Sequence, residues 1–298
     1  MKPLGSRTGP VSALVSIALG SLMAIGQAAT PKPPQPAAPS PSRTEPTDAA
    51  LDAAQQWIGR ALFLRGSYLA NNLNYAASGQ AIAPQKSGDW TLSGVDLQKV
   101  IRRSPEQIEL EGLRVAIRYN PDNHQFERHP QKDATIKILL TDPGSADATE
   151  TALDAIFSQG IDPRLQHATP DFWQHYFNPA LPWPQDVLSA QQIFVPTNPP
   201  GKPSDPTQAV VLHKTDAKLT LEAEKDRVQG TLQLRMVIDA QGVPQRIAIV
   251  RPLGYGLDER AVEAVAKWRF TPAMQQDQPL PSALLLNYQF AIAPPLRP

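Results

Sequence analysis

Between residues 231 and 238 the chain alternates: Leu232, Leu234, Met236 and Ile238 are separated by Gln233, Arg235 and Val237, with Thr231 in front. A period of two marks a strand with one buried face. Asp239-Ala240-Gln241-Gly242 follows, a tight-turn sequence with glycine where positive φ is needed. A second strand comes next, with Ile247 and Ile249 on one face and Ala248 and Val250 on the other. The period then changes. Leu257, Ala261, Ala264, Val265 and Trp268 recur at helical spacing and give one apolar stripe. Asp258 and Glu259 fall in the first turn and Lys267 and Arg269 in the last, where the helix dipole favours each sign of charge. Pro272 forbids continuation. A third apolar run, residues 284–292 (LLLNYQFAI), is bounded by prolines. The order strand, turn, strand, helix, strand predicts a small α+β unit whose short helix lies on the sheet.

Upstream, residues 89–140 read as an antiparallel meander. Ile108 and Leu110 alternate with acidic neighbours, and Leu113, Val115, Ile117 and Tyr119 alternate with Arg114, Ala116 and Arg118. Ile136, Ile138 and Leu140 continue the pattern, and Ser104-Pro105-Glu106 is a turn between flanking runs. A helix is predicted over about 148–158, closed by Gly160. Residues 53–68 begin as a helix and become ambiguous through Leu62-Phe63-Leu64. The stretch 171–186, DFWQHYFNPALPWPQD, reads as an irregular cover packed on the sheet. The expected fold class is α+β: an antiparallel-sheet-rich α+β domain followed by a small ββαβ domain, joined by Pro-rich linkers.

Composition supplies the boundaries. The 298 residues carry 32 prolines, and these are concentrated. Residues 31–46 hold seven in sixteen positions, an extended spacer of about 50 Å at ~3.1 Å per residue. Residues 196–206 hold five in eleven. Before them, Lys2 and Arg7 precede an apolar stretch at 11–25 and the small residues Gly26-Gln27-Ala28-Ala29, the layout of a signal peptide cleaved after Ala28 or Ala29. An uncleaved inner-membrane anchor is the alternative. The expected organisation is therefore 1–29 signal peptide or short membrane anchor, 30–50 spacer, 51–195 an α+β domain of unknown role, 196–207 linker, and 208–298 the C-terminal domain. That layout implies a periplasmic location, or an inner-membrane anchor with periplasmic domains.

Charge and cysteine content narrow the chemistry. Basic and acidic residues balance at 28 each with no polybasic run, so nucleic acid is not an expected partner. Cysteine is absent, which removes disulfides, thiolate metal sites and a cysteine nucleophile. His124 and His129 flank a carboxylate, Glu127, but a spacing of five suits neither one helix face nor one strand face, and a polar hairpin is the expected reading. Asp171, His175 and Asp186 have no Gly-x-Ser-x-Gly nucleophile to serve. No phosphate-cradling glycine loop or Asp-rich calcium loop occurs. Phe172, Trp173, Tyr176, Phe177 and Trp183 are read as core, with a ligand cleft as the alternative. No catalytic residue, metal or cofactor is expected, and the chain is not expected to be an enzyme.

Residues 226–291 carry a resemblance. Val228-Gln229-Gly230, Val237-Ile238-Asp239 with Gly242, Gly256-Leu257-Asp258, Ala261, Ala264, Trp268-Arg269-Phe270-Thr271-Pro272-Ala273, Pro279 and Phe290 occur in the order and spacing of the TonB family C-terminal domain. The upstream segment departs from the family, which usually has a proline- and tyrosine-containing stretch there. The resemblance implies a periplasmic energy transducer whose last strand pairs with an extended peptide of an outer-membrane receptor, supporting energy-dependent transmembrane transport. It makes that receptor, a TonB-dependent one, the expected partner, with inner-membrane motor proteins as a further one. The expected partner-binding residues are Leu284, Leu285, Leu286, Asn287, Tyr288, Gln289 and Phe290, because an edge strand exposes unpaired backbone groups to strand addition. Ser12 and Ser16 have the one-turn spacing of a motor-coupling pair, but no histidine precedes His124, a departure from the family's anchor. The alternative is a soluble periplasmic adaptor that uses the same module without energy coupling.

Overall fold

The alternation over residues 94–141 becomes three long antiparallel strands. In the computed structural model, which describes residues 48–184, 186–196 and 206–292, helix α1 (Ala49–Gln55) leads into β1 (Leu62–Leu64) and β2 (Asn72–Tyr75). A single 3-10 turn at Trp90–Leu92 precedes β3 (Gly94–Ser104), β4 (Gln107–Asn120) and β5 (Gln125–Thr141). Helix α2 (Ala146–Ile156) and β6 (Phe157–Gln159) complete a six-stranded sheet of order β2-β5-β4-β3-β1-β6. One pairing departs from the expected antiparallel scheme: β2 runs parallel to β5. Its core is Leu62, Leu64, Ile108, Leu110, Ile136, Ile138 and Leu140, closed by Leu153 and Phe157.

Two short helices then follow, α3 (Pro163–Ala168) and α4 (Asp171–Phe177). The second corrects the first half of the irregular cover expected at 171–186. Asp162 caps α3 by accepting from the Leu165 N–H at 2.7 Å. Helix α4 is short enough that its aromatic residues hid the helical period, and Trp173 ends fully buried.

The C-terminal part contains β7 (Val210–His213), helix α5 (Leu221–Lys225), β8 (Gly230–Ile238), β9 (Pro244–Arg251) and helix α6 (Leu257–Val265). Three short strands, β10 (Arg269–Thr271), β11 (Ala273–Gln275) and β12 (Gln278–Leu280), separate the helix from the last strand, β13 (Ser282–Phe290). The main sheet has order β13-β8-β9, while β10 pairs with β7 and β11 with β12. The expected ββαβ order is present with this insertion. Gly242, at φ +77°, makes the β8–β9 turn, and its N–H donates to the Asp239 carbonyl at 3.0 Å. Trp268 is buried against Phe270 and Tyr288 and anchors the chain as it leaves the helix.

The described residues belong to one compact unit. The division into 51–195 and 208–298 is therefore not a gap in packing: Val115, Ile117, Trp173, Leu234, Ile249, Tyr255 and Val265 belong to one core. Backbone bonds cross the seam, from Tyr119 N–H to the Leu253 carbonyl (3.1 Å) and from Tyr255 N–H to the Ile117 carbonyl (2.8 Å). Gly254, at φ +90°, lies so close to the Ile117 carbonyl oxygen that no side chain would fit there. The Gly256 N–H donates to the Thr91 hydroxyl at 2.8 Å, and that hydroxyl donates to Asp89 Oδ1 at 2.6 Å.

The expected signal peptide or anchor at 1–29, nearly all of the spacer at 30–50 and residues 197–205 of the linker lie outside the described residues. Asp48 already caps α1, so the end of the expected spacer belongs to the folded unit. At the other end of the linker the Thr207 N–H donates to the Met274 carbonyl at 2.9 Å. Among the described residues no helix is long and apolar enough to cross a membrane.

Candidate functional site

Strand β13 pairs with β8 in unbroken register, from Ser282 opposite Ile238 to Phe290 opposite Gly230. Successive residues of a strand point to opposite faces, and in an antiparallel ladder they also turn their backbone groups alternately to the two neighbours. The expected site therefore divides. Leu284, Leu286, Tyr288 and Phe290 direct their side chains to the core and lie opposite Met236, Leu234, Leu232 and Gly230. Tyr288 is further held by its hydroxyl, which accepts from the Ala217 N–H at 2.6 Å. Leu285, Asn287 and Gln289 lie on the exposed face.

The backbone phase is shown by one bond. The Ala283 N–H donates outward, away from β8, to the Phe194 carbonyl at 2.7 Å. With two-residue alternation, the N–H and C=O groups of Leu285, Asn287 and Gln289 also face outward. Among the described residues no backbone group pairs with them. The start of the same edge is occupied: Phe194 forms a parallel bridge with Ser282, and its N–H donates to the Pro281 carbonyl at 2.9 Å. The free edge is thus the segment from Leu285 to Gln289. On the far side of the sheet, α4 packs against β9.

Two hollows flank that segment. One, of about 500 Å³, lies beside Asp216, Leu219 and Gln289. The other, of about 750 Å³, has Arg235 and Val237 of β8 and Ala283 and Leu285 of β13 in its floor. Its walls come from Leu181 and Trp183 on one side and Val195 on the other. Trp183 is braced from behind by His175, ring centroids 3.6 Å apart and nearly parallel. Burial, and after it the positive charge of Arg235, hold the His175 imidazole below its ordinary pKa, so the brace is neutral near pH 7. The wall is fixed to the sheet by Asp186, which accepts from Arg246 Nε at 2.9 Å and Nη2 at 2.5 Å. For Trp183 the sequence alternative of a cleft-lining aromatic, rather than the expected core position, describes this wall. Its only signal was the aromatic and proline density of 171–186, which is equally the signal of a core.

The other polar candidates are dispersed. His124 sits at the β4–β5 turn with Nδ1 3.0 Å from the Tyr119 hydroxyl, while His129 lies on β5 beside the Tyr255 ring. Asp171 opens α4 and Asp186 belongs to Arg246, so neither attends His175. Phe172, Trp173, Tyr176 and Phe177 pack in or on the core, whereas Trp183 lines the larger hollow. Buried carboxyls gather at the seam. Asp258 is fully buried and accepts from the Leu253 N–H (2.8 Å) and the Gly254 N–H (2.6 Å). Burial, and then the nearby Asp89 carboxyl, push its pKa up to about 8. Burial also raises Asp89, and Glu259 is pushed up to about 7. Asp258 accepts from backbone N–H groups and Asp89 from the Thr91 N–H and hydroxyl, so both carboxyls bond inward.

Residues 221–292 match the family described as Gram-negative bacterial TonB protein C-terminal. The match covers about a quarter of the chain, from the start of α5 to just beyond β13, and makes this region a TonB-type C-terminal domain. No characterised protein matches the chain.

Proposed function

We propose that the TonB-type region binds an extended peptide of an outer-membrane receptor by strand addition to β13, within a TonB-like protein that serves energy-dependent transport across the envelope. The observation that supports it is the unpaired edge from Leu285 to Gln289. Three residues with outward N–H and C=O groups offer a ladder to a partner strand with little demand on its sequence. A net ~1 kcal/mol per backbone hydrogen bond makes such a ladder a modest-affinity contact, one that can be made and broken.

The phase of the edge chooses the test. A fluorescent receptor-derived peptide is titrated against the full chain, alongside versions N-methylated at odd or at even positions. Only one of the two methylated sets removes donors that face β13, so one binds as the parent does and the other loses tenfold or more. Equal binding by both sets counts against strand addition. On the protein side, Asn287→Pro removes an outward donor, whereas Leu286→Pro breaks the ladder to β8 and destabilises the sheet.

The shared core favours a second reading, a periplasmic adaptor without energy coupling, because the region is built into a larger unit rather than carried on a free tether. Fractionation separates the two. Intact protein retained in the inner membrane supports the transducer. A mature chain that begins near Ala29 or Thr30 in a membrane-free periplasmic extract supports the adaptor.

A further inference from the structure

We infer that the groove at the head of β13 is a second subsite for the strand-adding peptide, one that reads a carboxylate followed by an apolar side chain. The inference rests on strand addition at β13. It deepens that reading by naming what the partner must carry beside its paired segment.

The argument begins with where an added strand must stop. Phe194 already occupies the edge opposite Ser282, so a peptide paired along Gln289, Asn287 and Leu285 meets the protein's own chain beyond Leu285. It can only turn off the edge there. On the outer face that point opens into the groove, because Leu285 is both the last free residue of the edge and part of the groove floor. Edge and groove are one continuous surface.

The groove's chemistry is unequal. Two guanidiniums line it, and they differ. Arg246 is committed to Asp186 through two bonds. Arg235 is exposed, lies directly opposite Leu285 in the β8–β13 register, and pairs with no carboxylate among the described residues. A peptide side chain on the outer face next to Leu285 sits about 5 Å from it, one strand away from Arg235. A carboxylate there meets the Arg235 guanidinium. The following residue enters between the wall of Leu181 and Trp183 and the opposite wall of Val195, where the indole is held flat by His175. Leu285 and Val195 are strongly exposed, at 59% and 70%, so an apolar side chain in the groove covers surface that otherwise faces water.

The test is a charge swap. The probes are fluorescein-labelled peptides with a common Thr-Val alternating core, carrying either Asp and Leu or Lys and Leu, the charged residue always next to the core and Leu beyond it, each made with the pair at either end because strand direction is unassigned. Anisotropy titrations use the full chain. The Asp-Leu peptide is expected to bind about tenfold tighter than the Lys-Leu peptide at low salt. Arg235→Glu is expected to invert that order, and Trp183→Ala to weaken both peptides while the charge preference persists. The inversion is a gain of binding, which an unfolded variant cannot produce. Equal affinity for the two peptides, as expected if residues 197–205 or a second copy of the chain fill the groove, overturns the inference and leaves strand addition standing. A charge preference that survives Arg235→Glu also overturns it. No binding by any peptide overturns strand addition and the subsite together.

Discussion

Replacing Asp258 with asparagine is expected to flatten the pH dependence of stability. The carboxyl is fully buried, and its pKa of about 8 in the folded chain stands well above the ~4 of an exposed aspartate. Between those values the folded state keeps a proton that the unfolded state has lost. The unfolded state then binds fewer protons, and stability falls as pH rises, by up to about 1.4 kcal/mol per pH unit. Asparagine carries no such proton, so its contribution does not change with pH. The substitution has its own cost. The two carboxyl oxygens accept from the Leu253 and Gly254 N–H groups, and an amide has one oxygen for the pair. One buried donor is left without an acceptor, about 1–3 kcal/mol. On these figures Asp258→Asn is the less stable protein only below about pH 5–6 and the more stable one by pH 7, with the difference still growing towards pH 8. Glu259 and Asp89, also shifted upward, give both proteins the same downward trend and cancel in the difference. Urea unfolding of the full chain, followed by tryptophan fluorescence at pH 5, 6, 7 and 8, measures it. Parallel stability curves for the two proteins would refute the assignment of a held proton to this carboxyl.

Two further outcomes concern the seam. Gly254→Ala forces a methyl against the Ile117 carbonyl at φ +90° and is expected to cost at least about 2 kcal/mol, whereas Gly160→Ala, at φ +79° with open space around it, is expected to cost about 1; denaturant midpoints compare them directly. The shared core predicts one calorimetric unfolding transition for the two halves, and two separated transitions would mean that the seam carries little stabilisation.

The neighbouring signals in the sequence were local, and they located the local structure. Alternation at 231–238, the Asp239–Gly242 turn and the helical stripe from Leu257 each reduce to contacts between residues close in the chain or on one face, and each appears as an element in place. Helices α3 and α4 were hidden because six or seven residues make barely two turns, too few to show a period through prolines and aromatics. The pairing of β2 with β5 is parallel, and only a long-range contact sets that direction.

The alternation along residues 282–290 by itself determined that half of the expected binding strand must face a core, since a period of two allows no other arrangement on a one-sided sheet. Which half presents its backbone outward was decided by the long-range pairing with β8, and the bond from Ala283 to Phe194 shows the phase. Proline density likewise indicated extended chain at 196–206 but carried nothing about whether the flanking parts would separate. Burial decided that: Ile117, Trp173 and Tyr255 exclude more water together than apart, and the backbone bonds at Gly254 lock the arrangement. The groove exists for the same reason, since its floor and walls come from segments that meet only after the core has closed.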